Sequence, residues 1–133
     1  MAKNILFINR ISKHPGFLET LKKEGYLTDV VYSPEDALSK AENQDYETII
    51  LQDNPLTESQ VLCRDIRRIT DAPLIVISNQ ASAEASVEAL NAGADFFLRK
   101  PFGALELVAR IRCLAYRNAS RSNVPVHQPA LIG

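Results

Sequence analysis

The sequence lacks several features that would place it in common classes of protein. No apolar stretch in its 133 residues approaches the roughly 18 residues that a membrane-spanning helix requires. Fifteen basic residues are balanced by sixteen acidic ones, so there is no basic excess for binding nucleic acid. Residues 1–4 lack the basic, apolar and small-residue order of a signal peptide. We therefore predict a cytoplasmic protein that does not bind membranes and, through this chain alone, does not bind DNA.

The chain also has few cysteines. Cys63 and Cys113 are far apart in the sequence, and neither has the spacing of a metal-binding or redox motif. Both fall within segments of helical periodicity. We therefore predict reduced and unpaired thiols, as is usual in the cytosol.

Short apolar runs alternate along the chain with longer segments of helical periodicity. Residues 5–8, 48–51, 74–77 and 96–98 are apolar, and residues 27–32 form a further strand candidate. Solid apolar runs are typical of strands that are buried on both faces. Five such strand and helix units predict a parallel sheet covered by helices on both sides. Because a closed eight-unit barrel needs about 250 residues, this chain favours the open, doubly wound α/β arrangement.

The helical segments carry start and stop signals. Ser33 suits an N-cap and Pro34 suits the first helical position, whereas Gly25 and Gly93 suit the residue that follows a helix. Apolar residues at helical spacing predict the faces that pack on the sheet. For the last two helices these are Val87 and Leu90 in the fourth, and Leu105, Val108, Ala109, Ile111 and Leu114 in the fifth.

Polar side chains stand at the carboxyl ends of the predicted strands, where open parallel sheets bind their ligands. Only one of these side chains is a carboxylate, which is too few for the cluster that a divalent metal would need. The sequence therefore predicts a polar crevice with weak or absent metal binding. The residues at the strand ends are Asn9 and Arg10, Gln52 and Asp53, Ser78, and Lys100 with Pro101.

An enzyme or cofactor-binding protein on the same fold is the competing class. A flavin or nucleotide site would need a phosphate-binding loop after the first strand, but residues 9–16 contain a single glycine. His14 stands alone in this segment. We therefore predict that the chain is not an enzyme and holds no cofactor.

The order of the apolar runs and three local features resemble the receiver domain of two-component response regulators. The local features are Ser78 at a strand end, the segment GADFFLRKPF over residues 93–102 and the segment ELVARI over residues 106–111. The resemblance covers roughly residues 3–117. It implies the flavodoxin-like, CheY-like (βα)5 fold, a three-layer sandwich around a five-stranded parallel sheet.

In receiver domains, two acids after the first strand and an aspartate after the third bind Mg²⁺, and that aspartate accepts a phosphoryl group. Carried over by position, the acid pair falls on Asn9 and Arg10 and the phosphoacceptor on Gln52. Phosphoryl transfer to a carboxylate needs an anionic nucleophile and a hard cation. The resemblance therefore implies a degenerate site, with Mg²⁺ binding weak or absent and a sensor kinase doubtful as a partner.

Two interpretations of Arg10 remain open. Its guanidinium, which never loses its charge, either takes the place of Mg²⁺ and pairs with Asp53 or extends into solvent.

The residues that detect the phosphoryl group in this family are retained. Ser78 and the Lys100-Pro101 pair match the family pattern, and Phe97 lies where the family has its switch aromatic. We expect Lys100 to reach the crevice and to hydrogen-bond Gln52 or Asp53.

Asp53 is an alternative phosphoacceptor. The segment over residues 46–63 is about one residue shorter than is usual in the family, so a register slip would bring Asp53 to the acceptor position. Such a slip turns every side chain of the strand to the opposite face. We therefore favour a surface acid in the loop, with phosphorylation at Asp53 as the alternative.

The last helix resembles that of the OmpR/PhoB-type transcription regulators, in which the fourth helix, fifth strand and fifth helix form a twofold dimer face. The matching charged residues are Asp95, Glu106 and Arg110. The pattern is incomplete, because Phe96 and Ser86 replace an acid and a base that are usual there. The resemblance implies a homodimer through this face; the alternative is a solvated charge pair worth less than about 1 kcal/mol.

The C-terminal segment differs in composition from the rest of the chain. Residues 118–129 are polar, contain prolines and lack periodicity, which predicts a linker over residues 118–133 after a receiver-like domain over residues 1–117. We expect the linker to lead toward a DNA-binding domain absent from this chain. The chain would then regulate transcription through dimerisation, independently of aspartate phosphorylation. The alternative is a stand-alone pseudo-receiver that binds another protein.

Overall fold

Five strands and five helices alternate along the chain. The computed structural model describes residues 3–11, 14–53, 59–79 and 83–123, the last six of these by their backbone only. The strands are β1 (Asn4–Asn9), β2 (Leu27–Val31), β3 (Thr48–Gln52), β4 (Leu74–Ser78) and β5 (Phe96–Arg99). The helices are α1 (Phe17–Lys23), α2 (Pro34–Asn43), α3 (Ser59–Ile69), α4 (Ala83–Asn91) and α5 (Ala104–Asn123).

The strands form one parallel sheet in the order β2-β1-β3-β4-β5. Apolar side chains of the central strands alternate between its two faces: Ile49 and Leu51 lie in one core cluster, whereas Ile50 lies in the other. The first cluster is covered mainly by α2, α3 and α4, and the second by α1 and α5. The predicted doubly wound (βα)5 fold is thus confirmed.

Local signals explain where several helices begin and end. The Ser33 hydroxyl accepts a hydrogen bond from the Asp36 N–H at 3.1 Å, and Pro34 occupies the first turn of α2. Gly93, which follows α4, has a φ of 122°, a conformation that favours glycine. A Cβ at this position would lie 3.0 Å from the Arg67 Cγ atom, so the Arg67 side chain would have to shift to admit any other residue here.

The inward positions predicted for α4 are wrong, and so are two of those predicted for α5. Ala85 and Ala89 are the buried residues of α4, whereas Val87 is 53% exposed and Leu90 is also exposed. The two alanines and the pair Val87 and Leu90 both have helical spacing. The alanines are the buried pair because their small side chains allow the short helix to lie close to the sheet. In α5, Leu105 is 66% exposed and Ala109 is also exposed.

Helix α5 is longer than the predicted domain boundary allows. It continues to Asn123, six residues past Arg117, so residues 118–123 are helical rather than irregular as predicted. No proline interrupts this stretch, and the first one, Pro125, comes after it. Polar composition therefore did not stop the helix before Asn123.

Among the described residues, no helix has both the length and the apolar character needed to cross a membrane. Both cysteines are unpaired, as predicted. Burial raises the pKa of the Cys63 thiol to about 11, which keeps it protonated and unreactive at neutral pH.

Candidate functional site

Four polar side chains are buried together at the carboxyl ends of β1, β3 and β4. They are Asn9, Gln52, Asp53 and Ser78. The strand register places Asn9 beside Gln52 and Gln52 beside Ile77. The predicted crevice therefore lies where the central strands end, and its inner residues are almost inaccessible to solvent.

Asn9 and Gln52 are joined by a side-chain hydrogen bond. The Asn9 Oδ1 atom accepts from the Gln52 Nε2 atom at 3.2 Å and from the Ile11 N–H at 3.2 Å. Because the backbone donor requires an oxygen at this position of Asn9, the amide of Gln52 must present its nitrogen. The Gln52 Oε1 atom then points away and has no hydrogen-bond partner among the described residues, although Gln52 is only 1% exposed.

Arg10 lies at the edge of this pair. Its backbone N–H donates to the Gln52 carbonyl at 2.8 Å, which extends the pairing of β1 with β3. Arg10 is half-buried, and its guanidinium reaches past the end of β2, where Nη1 donates to the Tyr32 carbonyl at 3.4 Å. The predicted pairing of Arg10 with Asp53 stays a prediction.

Asp53 is not the surface acid that we predicted. It is buried, and its N–H donates to the Ile77 carbonyl at 3.1 Å, so the chain still follows β4 beyond the end of β3. Its carboxylate accepts a hydrogen bond from the buried Ser59 hydroxyl at the start of α3. The carboxylate is thereby held toward α3. Its use as an alternative phosphoacceptor stays a prediction.

Ser78 and Lys100 are brought together by the pairing of β4 with β5. The Lys100 N–H donates to the Ser78 carbonyl at 2.9 Å, and the following peptide bond, to Pro101, is cis. The Lys100 side chain is half-buried. Phe97, at the switch-aromatic position, is half-buried and packs against the core cluster that α4 covers.

The residues at the strand ends do not fit Mg²⁺. This ion prefers an octahedron of oxygen ligands, with carboxylates among them. The Asn9 Oδ1 atom is already occupied by two donors, which leaves the Gln52 Oε1 atom as the one neutral oxygen of that amide pair. Arg10 adds a permanent positive charge. Within the described part of the chain, no group of three or more histidine, cysteine or acidic side chains could hold a metal.

Two of the three charged residues predicted for a dimer face, Asp95 and Arg110, have partners within the chain. The Asp95 Oδ2 atom accepts from the Leu74 N–H at 2.8 Å and from the Arg67 Nη2 atom at 3.2 Å. The Arg110 guanidinium lies 4.4 Å from the centre of the Phe96 ring. Glu106 is exposed in the first turn of α5. Asp95 therefore has a structural role that we did not predict.

Sequence reasoning also missed Arg67 and Ser59. Arg67 donates from Nε to the Gly93 carbonyl at 3.1 Å and from Nη1 to the Thr70 carbonyl at 3.2 Å, in addition to its contact with Asp95. A basic residue in the last turn of a helix was a weak signal for this, because such residues often interact with free carbonyls. Ser59 had no signal, since its partner Asp53 is six residues away in the sequence.

Comparison with known proteins identifies the family. Residues 15–112 match the family described as response regulator receiver domain. Response regulator ArlR of Staphylococcus aureus is 35% identical over 113 residues, which cover 84% of this chain and 52% of that protein. The chain thus spans about half the length of the curated relatives it matches.

Solved structures show the same fold. A two-component response regulator from Clostridium difficile is 29% identical with a TM-score of 0.74, over 87% of this chain and 98% of that one. An orphan response regulator of H. pylori is 26% identical with a TM-score of 0.71, over 84% of this chain and 95% of that one. The fold, the order of the strand ends and these matches agree: the chain belongs to the response regulator receiver domain family and has its CheY-like form.

Proposed function

We propose that this chain is the dimerising receiver domain of a transcription regulator whose output does not depend on aspartate phosphorylation. The observation that carries this proposal is the buried Asn9–Gln52 hydrogen bond. It occupies the positions that the family resemblance gives to a metal-binding acid and to the phosphoacceptor. Two neutral amides there supply neither the anionic nucleophile nor the ligands for the cation that phosphoryl transfer needs.

The same pair supports a fixed conformation for the strand ends. In a switchable receiver, a change of charge at this point must favour one of two conformations. Here the contact between β1 and β3 carries no net charge and does not titrate. We infer that Mg²⁺ binds weakly or not at all and that the chain acts as a binding module rather than an enzyme.

An exposed apolar surface on α4 and α5 supports dimerisation. Val87 and Leu90 on α4 and Leu105 on α5 are large apolar side chains exposed to solvent. The two helices flank β5 in the dimer face that the resemblance implies. A twofold interface is self-complementary. A second copy that covers this surface would therefore bury the three side chains of both copies.

The charge pattern of this face supports a dimer held mainly by apolar contacts. Asp95 already pairs with Arg67 of its own chain, and the Arg110 guanidinium stacks on its own Phe96. Charge pairs between copies therefore have less to contribute than the family pattern suggests. Exposed ion pairs contribute about 1 kcal/mol or less in any case.

Regulation of transcription requires a part of the protein beyond this receiver domain. The relatives matched here are about twice as long as the segment that aligns, since 113 residues cover 52% of their length. We propose that DNA binding belongs to such a second domain, reached through residues 118–133, and that this chain brings two copies together.

The proposal is tested by intact-mass spectrometry after incubation with acetyl phosphate and Mg²⁺. We expect no phosphoryl adduct on the wild-type chain. A triple variant with Asn9→Asp, Arg10→Asp and Gln52→Asp restores the acidic residues of the family and serves as the positive control. An adduct on the wild-type chain that disappears in Asp53→Asn would refute phosphorylation independence and would identify Asp53 as the acceptor.

A further inference from the structure

Helix α3 is held by side-chain contacts near both of its ends. At its first residue, the buried Ser59 hydroxyl donates to the carboxylate of Asp53, which lies beyond β3 at the strand-end site. Near its last turn, Arg67 donates to the Gly93 carbonyl and contacts the Asp95 carboxylate, and both of these residues lie between α4 and β5. Helix α3 therefore joins the strand-end site to two elements of the proposed dimer face.

The helix between these contacts is a stiff connection. A helix rises about 1.5 Å per residue, so Ser59 and Arg67 are about 12 Å apart along α3. Leu62, Cys63 and Ile66 are buried between them and belong to one core cluster. Because close-packed interiors transmit a displacement rather than absorb it, a shift at the start of α3 should reach its far end.

Helix α3 also contacts α4 directly. The Gln60 Nε2 atom donates to the Glu88 Oε1 atom at 3.0 Å. The residue that follows α4 packs tightly on α3 as well, since a Cβ at Gly93 would lie 3.0 Å from the Arg67 Cγ atom. The position of α4 therefore depends on α3 at two points.

We propose that Ser59 is a positioning residue for the dimer face. Its hydrogen bond to Asp53 fixes the start of α3, and α3 holds α4 and the start of β5 through Gln60 and Arg67. The use of this face in dimerisation rests on the proposed function, whereas the connection through α3 does not. The buried carboxylate of Asp53 thereby acts as the anchor of α3.

This connection differs from the one that the family resemblance implies. In that pattern the phosphoryl group is detected by the residues that match Ser78, Phe97 and Lys100. The contacts of α3 described here involve none of these three side chains. They can therefore hold the dimer face in place without a phosphoryl group.

Ser59→Ala and Ser33→Ala form a matched pair of variants. Each removes a serine hydroxyl that makes a hydrogen bond at the start of a helix, α3 for Ser59 and α2 for Ser33, so each should lower stability. Amide chemical shifts of the isotope-labelled 133-residue chain are recorded by NMR. We expect Ser59→Ala to shift the amides of Gly93, Asp95 and Phe96, at the far end of α3, and Ser33→Ala to leave them in place.

The strength of the dimer is the second measurement. Light scattering across a dilution series gives the dissociation constant of wild type and of both variants. We expect Ser59→Ala to weaken the dimer roughly fivefold, because residues coupled to a site that they do not touch have effects of this order. Ser33→Ala should leave the dimer unchanged although it also lowers stability.

Gln60→Ala extends the test to a residue that is only half-buried. It removes the contact between α3 and α4 and keeps the test decisive even where Ser59→Ala does not fold. We expect a roughly twofold weaker dimer and shifted amides in α4. Gln44→Ala is the control, because the Gln44 amide accepts from Tyr46 and follows α2.

Two results would overturn the proposal. One is a set of Ser59→Ala shifts that does not extend to Gly93 and Asp95. The other is a wild-type dimer that neither Ser59→Ala nor Gln60→Ala weakens. A wild-type chain that stays monomeric at every concentration would instead refute the proposed dimer, and the amide shifts alone would then decide whether Ser59 positions α4 and β5.

Discussion

The carboxylate of Asp95 is held by the guanidinium of Arg67 in the same chain, with Oδ2 3.2 Å from Nη2. Asp95 also exchanges backbone and side-chain hydrogen bonds with Leu74, since its N–H donates to the Leu74 carbonyl at 2.7 Å and its carboxylate accepts from the Leu74 N–H at 2.8 Å. These contacts connect the end of α3 with the starts of β4 and β5. A residue that the family pattern assigns to a dimer face thus stabilises the monomer.

Replacing Arg67 with alanine should therefore lower stability. The substitution removes donors to Gly93, Thr70 and Asp95, and we expect a loss of about 1–3 kcal/mol in the free energy of unfolding. Arg68→Ala is the matched control, because Arg68 is exposed and pairs only with the nearby Asp65 among the described contacts. Urea denaturation should show a loss of about 0.5 kcal/mol or less for that control. Equal losses in the two variants would contradict the structural role of Arg67.

Dimerisation should depend more on apolar contacts than on charge. A lysine in place of Leu105 puts a charge into the surface that α4 and α5 expose, and we expect at least a roughly tenfold weaker dimer, a change of about 1.4 kcal/mol. Leu27 is equally exposed, at 71%, but lies on β2 at the opposite edge of the sheet. Leu27→Lys is therefore the control.

Light scattering across a dilution series measures how tightly each of the two variants dimerises. Arg110→Ala is expected to have a smaller effect than Leu105→Lys, because the Arg110 guanidinium stacks on Phe96 of its own chain. A monomer at every wild-type concentration, or a dimer that Leu105→Lys does not weaken, would rule out this face.

A glutamate at position 52 should make stability depend on pH. Its carboxylate would face the Asn9 Oδ1 atom, which accepts from Gln52 and from Ile11. Burial and this oxygen both favour the protonated acid, so the folded pKa of Gln52→Glu should lie above the ordinary value near 4.3. The raised pKa means that stability is kept at low pH and falls as the pH rises through the folded value.

Urea denaturation of Gln52→Glu at several values between pH 4 and pH 8 measures this effect. We expect the free energy of unfolding at pH 7 to be about 2–4 kcal/mol lower than that of wild type, and the difference to be smaller at pH 4. The glutamine of the wild type does not titrate and supplies the baseline. A pH-independent difference between the two proteins would show that the new carboxyl is not buried against Asn9.

Tyr46 gives a second prediction about pH. Burial, and then the hydrogen bond that its hydroxyl donates to Asp29 at 2.7 Å, raise the pKa of Tyr46 above its ordinary value near 10. The unfolded chain then loses this proton first, so stability should decline as the pH rises above about 10. Tyr46→Phe should remove this alkaline decline, and it should lower the free energy of unfolding at neutral pH by about 1 kcal/mol.

Urea denaturation between pH 8 and pH 11 compares the free energy of unfolding of wild type with that of Tyr46→Phe. Tyr116 is 74% exposed, so Tyr116→Phe is the matched control for the loss of a tyrosine hydroxyl and should leave the free energy of unfolding at neutral pH almost unchanged. An alkaline decline of the same size in wild type and in Tyr46→Phe would mean that Tyr46 is not its source.

Features encoded by local pattern could be predicted from the sequence. The apolar runs and the caps at Ser33 and Gly93 identified the elements, and the strict alternation identified a parallel sheet covered by helices on both faces. The partners of Asp53 and Asp95 could not be predicted, because Ser59 and Arg67 reach them only through tertiary packing. Val87 and Leu90 were misplaced because two sets of residues in α4 have helical spacing, and close packing on the sheet selected the alanines.

The six residues of α5 that follow Arg117 set both the position and the orientation of the helix end. A helix advances about 1.5 Å and turns about 100° per residue, so the backbone over 118–123 sets both the height and the angular phase of the point where α5 ends at Asn123. Deleting one residue in this stretch would rotate that point by about 100° for a shift of about 1.5 Å. Of the deletions that fit within these six residues, one of four residues comes nearest to restoring the phase, with an offset of about 40°, so the length of this stretch fixes the direction in which α5 presents its end.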